Sequence, residues 1–176
     1  MSEDSVRILV VDDSALYRQL VCNVLRDIPD TAVVGTARNG AEALSLVQEL
    51  DPDLLTLDVR MPDVDGIEVL RRLRQNRSRA AAIMLSSLTA NGAQTTTDAL
   101  LEGAFDFIHK PSGPDAGLNR RTLRNELAER IAAFRASRVG SGRRRPAPRP
   151  PNAARPIGTT SSLIPARRDK PGMKRW

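Results

Sequence analysis

Histidine, cysteine and aromatic side chains are nearly missing from this 176-residue chain, which holds one His, one Cys, one Trp, one Tyr and three Phe. A single cysteine, Cys22, permits no internal disulfide and suits a reducing cytoplasm. Cys22 falls off the apolar stripe expected of the first helix, without a basic neighbour placed to activate it, so it reads as a structural thiol. The single histidine, His109, lies inside an expected strand, and no G-x-S-x-G elbow is present. The chain therefore lacks the base and the nucleophile turn of a Ser-His-Asp hydrolase. No apolar run reaches the roughly 18 residues of a membrane helix. The amino terminus, MSEDSVRILVV, opens with acids and lacks the basic flank of a secretory signal. These absences predict a soluble, cytoplasmic protein with an aliphatic core.

What is present divides in two. The net charge of +6 conceals an acidic body and a basic tail. Residues 1–136 carry 16 Lys+Arg against 20 Asp+Glu, a net of −4, and residues 137–176 carry 11 basic residues against one acid, a net of +10. The second segment also holds seven of the twelve prolines and shows no sustained period, so a disordered Pro/Arg-rich linker or tail is expected over 137–176. Residues 5–136 are expected to form one domain.

In that domain, short apolar runs alternate with helical patterns. The runs are Arg7–Val11, Thr31–Ala37, Leu54–Val59, Ala81–Ser87 and Phe105–His109, each of strand length and several apolar at consecutive positions, as in strands covered on both faces. Between them, Ser14 can cap a helix with Leu16, Leu20, Val24 and Ile28 inward, closed by Pro29. Leu44 and Val47 mark a second helix after Asn39. Asp65 can cap a third, with Ile67, Leu70 and Leu73 inward. A fourth spans about Gln94 to Glu102, and a fifth about Thr122 to Ala136, with Leu123, Leu127, Ile131 and Phe134 on one stripe. Five strands alternating with five helices predict an α/β, doubly wound parallel sheet of order 2-1-3-4-5, the flavodoxin-like solution, which binds ligands at the carboxyl ends of its strands.

Those ends carry chemistry. Strand one ends in Asp12 and Asp13, strand three near Asp58, strand four in Ser86 and Ser87, and strand five in Lys110 and Pro111. The expected order brings them to one shallow pocket. Clustered carboxylates repel one another, and a hard divalent cation such as Mg²⁺ relieves this with oxygen ligands. A carboxylate can also act as a nucleophile and form an aspartyl phosphate, with Mg²⁺, Lys110 and the Ser86 hydroxyl neutralising the phosphoryl oxygens. Each feature alone has an ordinary explanation: a turn, a strand exit, a satisfied hydroxyl. Their joint placement at four strand ends favours the functional one.

The segments ILVVDDS, LLTLDVRMPDVDG, MLSS and HKP resemble the response-regulator receiver family, over residues 5 to about 136. The resemblance implies a CheY-like fold and a chain that accepts a phosphoryl group on Asp58 from the phosphohistidine of a histidine kinase. It implies Mg²⁺ held by Asp13, Asp58 and the backbone carbonyl of Arg60, with Asp12 acting through water. It makes Ser86 the switch hydroxyl and Lys110 the partner of the phosphoryl group, and it often places a cis bond between Lys110 and Pro111. Phe107, three residues before Lys110, is where the family reports the state of that hydroxyl, through the face of helix four, strand five and helix five. The kinase is expected to dock near helix one, at Leu16, Tyr17 and Leu20. The stretch SSLTANGAQTTTDALLEGAFDFIHKPSG is similar to the receiver half of chemotaxis protein-glutamate methylesterases. There a linker leads to an esterase domain that phosphorylation releases from inhibition. Only the start of a linker follows here, so the chain is not expected to hydrolyse esters by itself, and a chemotaxis-type kinase is the implied partner.

Competing readings are weaker. A nucleic-acid-binding protein acting through the basic tail, with an inert body, would use Arg143–Arg145 and the later basic residues. That tail has one aromatic, Trp176, for stacking and no helix-turn-helix pattern. An aspartyl-phosphate phosphatase would want a second aspartate two residues after the first, where this chain has Arg60. Asp63 and Asp65 lack the later ligands of a calcium loop and read as turn and cap.

Overall fold

The structure is a computed structural model that describes residues 5–87, 97 and 99–140. Among them, strands β1 (Val6–Val11), β2 (Thr31–Ala37), β3 (Leu54–Asp58), β4 (Ala81–Ser86) and β5 (Asp106–His109) form one sheet. Its order is β2-β1-β3-β4-β5, parallel throughout, as the alternation of runs predicts. Helices α1 (Ala15–Arg26), α2 (Gly40–Leu50) and α3 (Gly66–Gln75) follow the first three strands. A fourth, α4, is described only at 97 and 99–101, and the expected start of that helix lies outside the described residues. Helix α5 (Ala116–Gly140) is the last. It begins earlier than its apolar stripe suggests, with the Asp115 carboxylate accepting from the Leu118 N–H at 2.9 Å. It also runs four residues past 136, where the tail was expected to begin. The basic segment from 141 onward, with the nucleic-acid reading that depends on it, lies outside the described residues.

Capping chemistry starts the other helices where the sequence places it. The Ser14 hydroxyl accepts from the Tyr17 N–H at 3.3 Å, Asn39 from Glu42 N–H at 2.8 Å, and Asp65 from Glu68 N–H at 2.8 Å, each relieving an orphan donor of a first turn.

The sheet is buried on both faces, and alternate residues divide between them. Val6, Ile8 and Val10 of β1 join Val21, Val24 and Leu25 of α1 and Leu123, Leu127, Ile131 and Phe134 of α5 in one core. Leu9 and Val11 face the other way, into a core with Val47 of α2 and Val69, Leu70 and Leu73 of α3. The α5 stripe falls where its spacing predicts. In α1 the four-residue ladder fails at one end, because Leu16 is 86% exposed. Four residues turn a helix by about 40° more than a full circle, so a four-step ladder drifts off one face. The buried face is instead Val21, Cys22, Val24 and Leu25. Cys22 therefore belongs to the core rather than lying beside the stripe, and burial raises its thiol pKa against the pull of Arg26 and Arg18.

Two glycines let the helices approach the pocket end of β3. A Cβ on Gly66 would lie 2.2 Å from the Asp58 carbonyl oxygen, and one on Gly40 would lie 2.4 Å from that of Val64. Between them, the β3–α3 loop turns at Asp63, whose φ is 66°, and the Val64 N–H donates to the Pro62 carbonyl at 2.8 Å. Asp63 and Asp65 are thus the turn and the cap expected. No helix among the described residues is long and apolar enough to cross a membrane.

Candidate functional site

Strand geometry alone brings the acids together. Asp12 and Asp13 follow β1, and Asp58 ends the neighbouring β3, since Val11 pairs with Leu57. Carboxylate oxygens of Asp12, Asp13 and Asp58 lie within 4.8 Å of one another. Asp12 is 1% exposed and Asp58 5%, while Asp13 is exposed. Lys110 follows β5, two strands away, and its backbone N–H donates to the Ser86 carbonyl at 2.7 Å. Its Nζ reaches across to Asp12 Oδ2 at 2.6 Å and to Asp58 Oδ2 at 3.0 Å. The sheet order predicted this convergence, because only β4 stands between the strands that carry Asp58 and Lys110.

Two of the three carboxylates, Asp12 and Asp58, share one ammonium, and burial adds to the repulsion between them. The Asp58 carboxyl has its pKa raised, first by burial and also by Asp12, against the opposing pull of Lys110 and the backbone N–H of Arg60. Desolvation thus outweighs the neighbouring cation. The arrangement is an excess of hard anionic oxygens held close together. It fits a small divalent cation, which would take up carboxylate oxygens and keep part of its water shell.

The pocket beside Lys110 is lined by Asp13, Asp58, Arg60, Ser86 and Tyr17. Ser86 is buried, and its hydroxyl donates to the Ser87 carbonyl at 3.2 Å. Phe107 stands apart from this lining. It is buried in the core beneath α3 and α4, with its ring edge-on to His109 at 5.1 Å. The Lys110–Pro111 bond is trans, as are all the described peptide bonds. This corrects the expectation of a cis bond, and trans is the lower-energy form of an X–Pro bond by about 0.5–1 kcal/mol.

Sequence reasoning missed three contributors. Arg18 donates to the Asp12 carbonyl at 2.7 Å and to the Asp13 carbonyl at 3.2 Å, pinning the loop that carries both acids. Nothing in the local pattern distinguishes it from a solvated arginine. Gly66 presses α3 against the Asp58 carbonyl, and its signal was its place directly after the cap Asp65. Tyr17, read only as a docking residue, sets its ring 4.4 Å from Lys110 Nζ.

Comparison with known proteins places this geometry. The family model described as the response regulator receiver domain matches residues 8–121. The protein-glutamate methylesterase/protein-glutamine glutaminase of Desulfotalea psychrophila is 43% identical over 141 residues, which is 80% of this chain and 39% of that relative. The chain thus spans about two fifths of that curated relative's length. Among solved structures, the response regulator domain of Thermotoga maritima CheB is 42% identical, with a TM-score of 0.67 over 75% of this chain and 97% of that one. The CheX–CheY–BeF3–Mg²⁺ complex of Borrelia burgdorferi is 28% identical, with a TM-score of 0.59 over 72% of this chain and 87% of that one.

Proposed function

The chain belongs to the response regulator receiver family, related to the methylesterase branch, and we propose that it is a phosphorelay switch whose acceptor is Asp58. One observation carries the reading: Lys110 Nζ stands 3.0 Å from the Asp58 carboxylate, inside a cluster of three acids.

In this reading an Asp58 carboxylate oxygen attacks the phosphorus of a kinase phosphohistidine. A P–O bond forms as the P–N bond breaks, and the leaving imidazole takes up a proton. Asp13, Asp58 and the backbone carbonyl of Arg60 would hold Mg²⁺, with Asp12 acting through water, and the ion would supply charge neutralisation for the phosphoryl oxygens. The solved Borrelia CheX–CheY complex, with beryllofluoride and Mg²⁺, supports the same use of the fold here. Lys110 turns from the free carboxylates to the phosphoryl group and stabilises its charge. Ser86 leaves the Ser87 carbonyl to donate to the same group, and Phe107, on the neighbouring strand β5, follows. The face of α4, β5 and α5 then differs between two states.

Docking of a histidine kinase, of chemotaxis type, falls to the first turn of α1. There Leu16 is 86% exposed beside the pocket-lining Tyr17, an apolar contact next to the reacting carboxylate. The output of the described domain is a change of surface.

Intact-mass measurement after incubation with acetyl phosphate and Mg²⁺ tests this. A gain of one phosphoryl mass, absent in Asp58→Asn and without Mg²⁺, is expected. No gain in the unchanged protein overturns the reading.

A further inference from the structure

Lys110 has a third neighbour that the acids do not explain. Its ammonium touches Asp12 and Asp58 on one side, and on another it faces the Tyr17 ring at 4.4 Å. That distance lies inside the roughly 6 Å within which an ammonium is attracted to an aromatic face. The Lys110 side chain is 11% exposed, so the attraction acts with little water to screen it. We infer that Tyr17 is a positioning residue for Lys110, its ring forming a fixed wall that holds the ammonium at the phosphoryl site after its carboxylate partners are taken by other ligands.

This rests on the phosphoacceptor reading. Lysine is a flexible stem with a point charge, and it keeps one geometry only where its surroundings impose it. The ion pairs with Asp12 and Asp58 help to impose it. A cation and a phosphoryl group compete for those same oxygens, and the ion pairs then loosen. The ring does not titrate away or change partner. Burial, with Asp12 and Asp58 adding to it, pushes the phenol well above its ordinary range, so Tyr17 stays neutral at physiological pH. Its hydroxyl is buried and has no hydrogen-bond partner among the described residues. An orphan hydroxyl costs stability, so the face of the ring rather than its polar tip accounts for its position. Phenylalanine should therefore serve as well.

Calorimetric titration of the full chain separates this role from simple packing. Mg²⁺ is titrated first, and then beryllofluoride at saturating Mg²⁺, into the unchanged protein, Tyr17→Phe and Tyr17→Leu. Tyr17→Leu should bind beryllofluoride about 5- to 10-fold more weakly, the size of one partly desolvated cation–π contact. Its Mg²⁺ affinity should match the parent, and Tyr17→Phe should retain parental affinity for both. Parental beryllofluoride affinity in Tyr17→Leu overturns the inference. So does a parallel loss of Mg²⁺ affinity, which marks general disruption, or a loss in Tyr17→Phe equal to that in Tyr17→Leu. Should the unchanged protein bind Mg²⁺ but no beryllofluoride, the phosphoacceptor reading falls and takes this inference with it.

Discussion

Burial works against the charge of Asp58. Its folded pKa lies above its ordinary value, burial being the first cause. A carboxyl in that condition binds its proton more tightly folded than unfolded, so its ionisation costs stability. The cost appears as pH rises from the ordinary aspartate value, near 3.8, through the raised folded one, and it is absent below both. Asp58→Asn, which keeps the shape and removes the charge, should therefore be more stable than the parent at pH 7 without Mg²⁺. The difference should shrink as pH falls through the carboxylate range; urea denaturation at several pH values measures it. A variant less stable than the parent at pH 7 would mean that the Lys110 ion pair outweighs desolvation.

At the scale of elements, two close approaches can be ranked by magnitude. Gly66→Ala places a methyl 2.2 Å from the Asp58 carbonyl oxygen, a contact with backbone that cannot rotate away. Overpacking of this kind costs about 1–3 kcal/mol. Because the displaced group is the end of β3 itself, phosphoryl uptake should fall further, by up to about a hundredfold. Chemical denaturation and mass-resolved phosphorylation read the two effects separately. For α5, the apolar stripe should dominate. Leu127 is fully buried, and Leu127→Ala should cost about 2–5 kcal/mol. Arg138 pairs with Asp53 at 2.6 Å and lies over the Phe134 ring, its own side chain partly exposed, and Arg138→Ala should cost less, about 1–2 kcal/mol. A larger loss in Arg138→Ala than in Leu127→Ala, by urea denaturation, would reverse that order. What was legible beforehand follows the same division. Strand order, the caps at Ser14 and Asp65, and the α5 stripe were readable because each depends on local pattern or one topological rule. The convergence of Asp12, Asp13, Asp58, Ser86 and Lys110 followed from the order. Leu16, Arg18 and the Tyr17 ring were not readable, because which face of α1 is covered, and which side chain meets Lys110, is decided by packing between elements distant in sequence.

For the whole molecule, the proposed switch predicts a spatial pattern. On adding Mg²⁺ and beryllofluoride, backbone amide resonances of β5 and of the α5 residues against it should shift, beyond those lining the pocket. Resonances that move only at the pocket would leave the acceptor chemistry intact and remove the switch. The acids stand where β3 ends, at Asp58, whereas Arg138 is fastened to Asp53, just before β3 begins. A five-residue strand puts roughly 17 Å between those two levels. The Arg138 end of α5 is thus anchored at the pole opposite the chemistry. For a change at Asp58 to register there, it has to be relayed through the body of the domain, along the core that α5 shares with the sheet.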